Sequence, residues 1–308
     1  MRRTASCAIA FLCAFQAAPA QAQSRVFVAA QGSDANACTF ALPCRSFQHA
    51  HDVVAANGEI DVLDPAGYGA LIINKAISIQ GHGFAGIAAT GGATAITINA
   101  GANDKVSLRG LLIDGVGTGL NGITFNTGGS LDIQECLVRN FTNVGIDFSP
   151  GGTSTLVISD TRSVSNIGNG TNQAAGIVIG GPGTASGALD HVIIENNGDV
   201  GLAFEGTNAA TNFFVSNSVI WNNGFRGIAV IGLNPNTIIL WNVAVSNHFS
   251  IALDANGPGA VVRITKSAIT GNNVGMNPLN GAQIISGGDN FIDGNGADGA
   301  PTSTVGLK

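Results

Sequence analysis

Three carboxylates and one guanidinium carry most of the chemistry this sequence could perform: Asp147, Glu205, Asp254 and Arg226. Glycoside hydrolysis generally needs two positioned carboxylates, one as acid and one as base or nucleophile. Asp147 falls inside one of a set of recurring apolar strands, Glu205 and Asp254 at the ends of two others, and Arg226 in the turn before a fourth. Beyond these the chain offers little. It has no phosphate loop and no HExxH zinc motif. No Ser/His/Asp arrangement stands out; His49 and His51 share one predicted helix and His248 lies in a turn. The sequence therefore predicts no cofactor and no metal site.

The elements that hold these groups must be built from unusual material. Of 308 residues, 44 are Gly, 45% are hydrophobic, 10% are charged and 6% are aromatic. Disorder requires low hydrophobicity and high charge, and this chain has neither. Collagen requires Gly at every third position, which is absent. Many turns and many short, buried strands remain.

Residues 1–22 read as a signal peptide. Arg2 and Arg3 form a positive start, Ala5 to Ala18 a short apolar stretch, and Ala20-Gln21-Ala22 an A-x-A cleavage site. The apolar run is shorter than the roughly 20 residues that span a bilayer, and no later segment reaches that length. An exported protein, periplasmic or extracellular, is expected. Its loss of Arg2 and Arg3 leaves 11 of 13 basic residues against 19 acidic ones, a net charge of −8. Phosphate binding needs clustered Lys and Arg, so nucleic acid is not an expected partner. In an oxidising compartment, Cys38 and Cys44 are expected to close a small disulfide loop. A metal pair is the lesser reading, because no further Cys or His completes four ligands.

From about residue 104 the chain repeats. Gly followed by apolar-x-apolar recurs as Gly122-Ile-Thr-Phe, Gly145-Ile-Asp-Phe, Gly176-Ile-Val-Ile, Gly201-Leu-Ala-Phe and Gly227-Ile-Ala-Val, then as Ser250-Ile-Ala-Leu and Gly275-Met-Asn-Pro. The spacing is 23 to 26 residues, apart from one interval of 31 that contains a polar insertion, Ile167 to Ala175. Each unit adds a middle strand, such as Leu131-Asp-Ile133 or Val262-Arg-Ile264, and a second apolar element at Val138, Val164, Ile194, Ile220, Val245 and Ile269. Asn follows that element closely, at Asn140, Asn166, Asn196, Asn222, Asn247 and Asn272. Gly and Asn interrupt the pattern too often for a helix. Such a unit cannot bury its own apolar face, but coils stacked at about 4.8 Å bury a continuous core. After the middle strand one turn column holds Glu135, Asp160, His191, Asn217, Asn242 and Lys266, and the next holds Cys136, Thr161, Val192, Ser218, Val243 and Ser267. Cys136 reads as a small buried residue without redox chemistry. The first column reads as a solvated polar ladder; acid–base or metal chemistry at Glu135, Asp160 and His191 is the lesser reading.

Over residues 25–295 the sequence resembles the right-handed parallel β-helix proteins of the pectin-lyase-like superfamily. The opening Val26-Phe-Val-Ala-Ala-Gln-Gly-Ser-Asp34 and Pro43-Cys-Arg-Ser-Phe-Gln-His-Ala50 resemble that fold's first strand, turn and capping helix. Phe47, Ala50, Val53 and Val54 are at helical spacing, with Gly58 as the stop. The resemblance implies a substrate groove along the outer face of the Gly-Ile-x-Phe strand. Strand alternation would place Thr124, Asp147, Val178, Ala203, Ala229, Ala252 and Asn277 there, a poor catalytic wall with one carboxylate and no base. Eliminating lyases of this architecture use a Lys or Arg base, for which Arg226 is the nearest choice. Three motifs are weighed against their structural readings. Gly81-His82-Gly83 matches a hydrolase tripeptide but lacks its upstream acids, and reads as a turn. Arg263-Ile-Thr-Lys266 reads as alternation along a strand. Gly294-Asn-Gly-Ala-Asp298 resembles a single Ca²⁺-binding turn without the stacked copies such sites need.

The sequence thus predicts an all-β, right-handed parallel β-helix as one domain over 23–308. It comprises an N-terminal cap with its helix (23–58), coils (59–295) and a polar C-terminal tail (296–308). The leading expectation is a non-catalytic protein that binds a glycan or cell-surface component along its long side. A polysaccharide lyase or glycoside hydrolase with degenerate motifs, using Asp147, Glu205, Asp254 or Arg226, is the first alternative. A structural or adhesive rod is the second. The sequence does not specify an oligomeric state.

Overall fold

The computed structural model describes residues 23–168, 174–206 and 209–306. The predicted signal peptide and the centre of the polar insertion lie outside the described residues. The chain is a parallel β-solenoid of about nine coils, its strands gathered into one nine-stranded and one 20-stranded sheet. One coil shows the plan: Val144–Phe148 joins the nine-stranded sheet, then Ser154–Ser159 and Arg162–Val164 join the other. Each strand pairs in parallel with its counterparts one coil before and after.

The repeat works because each position meets its own kind. Ile123, Ile146, Ile177, Leu202, Ile228, Leu253 and Met276 stand in register down the interior of the nine-stranded sheet. All are buried. Each such side chain contributes about 1.5–3 kcal/mol over its exposed form. A slip of one residue would turn that column outward, which is what fixes the register.

The first turn column adopts left-handed backbone in coil after coil. Glu135, Asp160, His191, Asn217, Asn242 and Lys266 all have φ between 48° and 55°. The following column is buried, and hydroxyls there bond the coil below: Thr161 Oγ1 accepts from Cys136 N, Ser218 Oγ from Val192 N, and Ser267 Oγ from Val243 N.

A second ladder is buried at the opposite corner. The backbone N–H of Phe141 donates to Asn166 Oδ1, Asn166 N to Asn197, Asn197 N to Asn223, Asn223 N to His248 Nδ1, His248 N to Asn272, and Asn272 N to Asn295, at 2.9–3.1 Å. Asp298 Oδ1 ends the series by accepting from both N and Nδ2 of Asn295. This corrects the sequence alignment of the asparagines. Asn166 and Asn272 belong to this interior ladder, one residue beyond the left-handed Asn140, Ser165, Asn196, Asn222 and Asn247. Ser163, not Val164, takes the inward place opposite Val138, and its hydroxyl donates to Gly176 O.

The ladder also explains the signature glycine. A Cβ on Gly145 would fall 2.3 Å from Ser163 Oγ and 2.7 Å from Asn166 Nδ2. On Gly201 it would fall 2.6 Å from Asn223 Nδ2, and on Gly227 the same distance from His248 Nε2. In the next coil the place opposite Gly227 is held by Ala252, so Ser250 is not the counterpart of that glycine.

The helix runs Phe47–Val53, shorter than predicted, with Ser46 as N-cap. Val54 leaves the helix because Val54–Val62 is needed as a strand, pairing with Gln23–Val28 and Ile77–Ala88. The helix plugs the sheet's open edge chemically. Gln48 Oε1 accepts from Ile72 N at 2.8 Å and His51 Nε2 from Asn74 N at 3.4 Å. At the other end Ala297 and Asp298 carbonyls accept from Gly275 and Met276, and Pro278 blunts the last strand.

Candidate functional site

The nine-stranded sheet has an outward side as well as a core side. Its central outward column reads Thr124, Asp147, Val178, Ala203, Ala229, Asp254 and Asn277. Asp254 stands where Ala252 was expected; Ala252 is fully buried in the corner. The predicted alanine stripe is therefore Val178, Ala203 and Ala229, followed by a carboxylate.

This outward side is not washed by solvent. Ala229 retains 1% exposure and Ala203 6%, and with Val144, Ala175 and Val200 they form a second apolar cluster separate from the core. Val178 and Ile231 pack against it. At the turn that leads into the same sheet, Phe249 is 81% exposed and Phe225 packs its ring 4.7 Å from the Arg226 guanidinium. The result is an apolar floor with aromatic groups at one margin and ionisable groups at both ends.

All four sequence candidates come to this face. Asp254 is buried and pairs with Arg226, Nε to Oδ2 at 2.8 Å, while Asn277 Nδ2 donates to its other oxygen. The Arg226 contact is ionic, since the Nε hydrogen has no aligned acceptor. One coil earlier the backbone carbonyl of Asp199, a residue missed in the sequence, accepts the backbone N–H of Arg226; burial raises the Asp199 carboxyl and the Arg226 charge opposes that rise. Only the three-dimensional register reveals Asp199, because its own turn carries no motif.

Asp147 and Glu205 form the other end. Asp147 is pushed upward by burial, and the Ser149 hydroxyl, donating at 2.5 Å, pulls it back. Glu205, exposed at the rim, is raised by partial loss of solvent and then by the charge of Asp147. Two coils place their strands about 10 Å apart. Gly180 lies in the intervening coil, and the Glu205 side chain folds over it: a Cβ there would sit 3.1 Å from Glu205 Cβ and 3.6 Å from Glu205 Oε2. Neither carboxylate has a basic partner among the described residues.

The other sequence motifs lie elsewhere. His82 sits at a register break in the 20-stranded sheet, left-handed at φ 56°, with Nε2 2.6 Å from Asp61 Oδ1. Glu135 pairs with Arg109 across coils at 2.7 Å and Asn242 Nδ2 donates to Asn217 one coil before, while His191 contacts its chain neighbour Asp190. Cys38 and Cys44 form the predicted disulfide. With His49 they make the one metal-sized cluster among the described residues, but bonded sulfurs offer no thiolate. Cys136 is buried, its thiol pushed up to about 12 by loss of solvent. No helix among the described residues is long and apolar enough to cross a membrane.

Residues 121–296 match the family described as the right handed beta helix region. Among solved structures, pectate lyase Pel9A superposes with a TM-score of 0.68 at 16% identity, over 85% of this chain and 74% of that one. The A-module of the Azotobacter vinelandii mannuronan C-5 epimerase AlgE4 aligns with a TM-score of 0.42 at 14% identity, over 82% and 89%. No curated protein matches. The family match covers more than half the chain and the pectate lyase likeness shares its coil architecture, so the chain belongs to the right-handed parallel β-helix family with a pectin-lyase-like fold.

Proposed function

We propose that this chain is an exported protein that holds a polysaccharide along the outer face of its nine-stranded sheet, without cleaving it. The observation that carries the reading is the sheltered apolar floor of Val178, Ala203 and Ala229, ending in carboxylates. Sugar rings offer apolar C–H faces and polar hydroxyl edges. Partly exposed Val178 offers an apolar contact to a ring, exposed Phe249 an aromatic one, and Asp147 and Glu205 accept hydroxyls. Their charge, on a chain at −8 after processing, favours a neutral glycan over an acidic one. The disulfide supports an oxidising compartment, and the resemblance to polysaccharide-acting β-helix enzymes supports a glycan ligand.

Affinity electrophoresis in gels cast with neutral polysaccharides tests this. Retardation should appear with at least one glycan and vanish in Ala203→Trp, which fills the floor. No retardation in any gel, or retardation unchanged by Ala203→Trp, removes the reading.

Hydrolysis is the second reading, supported by the Asp147/Glu205 pair. An inverting glycosidase separates its carboxyls by about 6.5–9.5 Å; two coils set these strands at about 10 Å, and Glu205 stands two residues further along its strand than Ala203, the register partner of Asp147. Elimination fits less well, because Arg226 is engaged by Asp254.

A further inference from the structure

The 20-stranded sheet has its own cleft, of about 260 Å³, on the outer side of the last coils. Ile239, Arg263 and Ile285 form one outward column of its floor by register, and Trp241 stands two residues from Ile239 on the same side. Val305, from the C-terminal segment, forms a wall. Phe214 extends the Ile239 column by one coil and is 40% exposed.

Two features of this cleft are unlike the rest of the surface. Five arginines of the described chain pair with carboxylates: Arg25, Arg109, Arg139, Arg162 and Arg226. Arg45 donates to Gly67 O and lies over Tyr68. Arg263 alone among the described arginines has no partner, and it is exposed at the cleft. Trp241 keeps 37% of its surface exposed beside it, and Lys266, outside the cleft lining, holds its Nζ 4.3 Å from the ring centroid. Asp289 is turned to the Thr265 hydroxyl and the Lys266 N–H.

We propose that the cleft between Trp241 and Arg263 is a second saccharide site, which takes one anionic sugar residue. A guanidinium fork matches a planar anion bidentately, and an indole surface stacks against the apolar face of a sugar ring. The volume is below the roughly 300–1,000 Å³ of drug-sized pockets, which suits one ring rather than an extended chain. A peptide adding as a strand has no edge to use, since Ala260–Thr265 is paired on both sides. The two faces then select opposite ligands: unpaired acids on the nine-stranded sheet, an unpaired cation here.

Tryptophan fluorescence of the full-length protein reads the site directly, because the chain has two tryptophans and Trp221→Phe leaves Trp241 as the sole tryptophan. The probes are a uronic acid trisaccharide, its methyl ester, a sulfated trisaccharide and hexaglutamate. A saturable change with either anionic sugar is expected, with the stronger of the two identifying the anion, and none with the ester. Arg263→Gln should weaken the response at least tenfold with an unchanged melting temperature, because the side chain is exposed. Asp147→Asn, on the other sheet, should leave it intact even if the neutral-glycan reading fails. Equal response to the ester, equal response to hexaglutamate, insensitivity to Arg263→Gln, or silence with both anionic sugars overturns the proposal.

Discussion

His248 Nδ1 accepts the backbone N–H of Asn223 at 3.1 Å, the bond that asparagine Oδ1 makes in the neighbouring coils. Its Nε2 lies 3.1 Å from Ile220 O, as Asn223 Nδ2 lies 3.2 Å from Ile194 O. The imidazole therefore imitates an amide, one nitrogen accepting and the other donating, and only the neutral ring can do this. Burial depresses its pKa to about 4.

An acid-labile coil follows. A lowered folded pKa means the unfolded chain binds the proton first. Stability is thus full above about 6.5 and falls between about 6.5 and 4, by roughly 3 kcal/mol for a shift of this size. His248→Asn keeps both bonds and should lose that dependence. Denaturant melts of both proteins at pH 7 and pH 4 provide the check. The comparison must be between variants, because Asp147, Asp199 and Glu205, raised in the fold, gain stability as pH falls. Equal acid sensitivity in His248→Asn would remove the assignment.

The signature glycines should be intolerant of a methyl group for packing rather than conformational reasons. Gly145→Ala drives a Cβ into Ser163, Asn166 and the Gly176 carbonyl, at 2.3–2.7 Å. Overpacking of this kind costs about 1–3 kcal/mol. Gly152→Ala meets nothing within 4 Å and should be nearly neutral. Thermal melts of the two variants should separate clearly; similar melting points would show that the ladder yields.

These two columns also show how far the sequence could be read. The left-handed turn was legible because every coil there presents a residue followed by a small or β-branched one, from Glu135-Cys136 to Lys266-Ser267. The ladder was half legible, because Asn140-Phe141 and Asn222-Asn223 put asparagine at either of two adjacent places, and a strand of three residues cannot fix the phase. At Ser250-Ile-Ala-Leu the small Ser mimicked the signature glycine, while Ala252 is also small enough for the corner. That two-residue slip hid Asp254 from the outward column. The shelter over Ala229 had no sequence signal at all, since it depends on what neighbouring turns cover.

Thiol chemistry should be silent in the folded chain. Cys136 is 3% exposed and its thiol is held far above its ordinary range, so an aromatic disulfide reagent should find no reactive thiol in a chain produced from Gln23 onward. Denaturation without reductant should release one thiol per chain. Reduction of the Cys38–Cys44 loop should lower stability by about 2 kcal/mol, given its small size. Rapid labelling of the native protein would contradict the packing of Cys136.

The Asp147/Glu205 pair makes the last prediction, and it bears on both readings of the long face. Burial raises each carboxyl, and Asp147's charge raises Glu205 further. Asp147 ionises against a still neutral Glu205, so Asp147→Asn should lower the Glu205 titration while Glu205→Gln leaves that of Asp147 nearly unmoved. Carbon-detected NMR of the side-chain carboxyls reads both. If the pair is a binding wall, single substitutions should weaken retention on a neutral glycan by about tenfold, the worth of one charged hydrogen bond, and no reducing ends should appear. If it is an acid–base pair, reducing ends should appear with wild type and fall by a factor of about 10²–10⁴ in either variant. Turnover that survives both substitutions would take the chemistry away from this pair, and independent titrations would show that the carboxyls lie too far apart to act together.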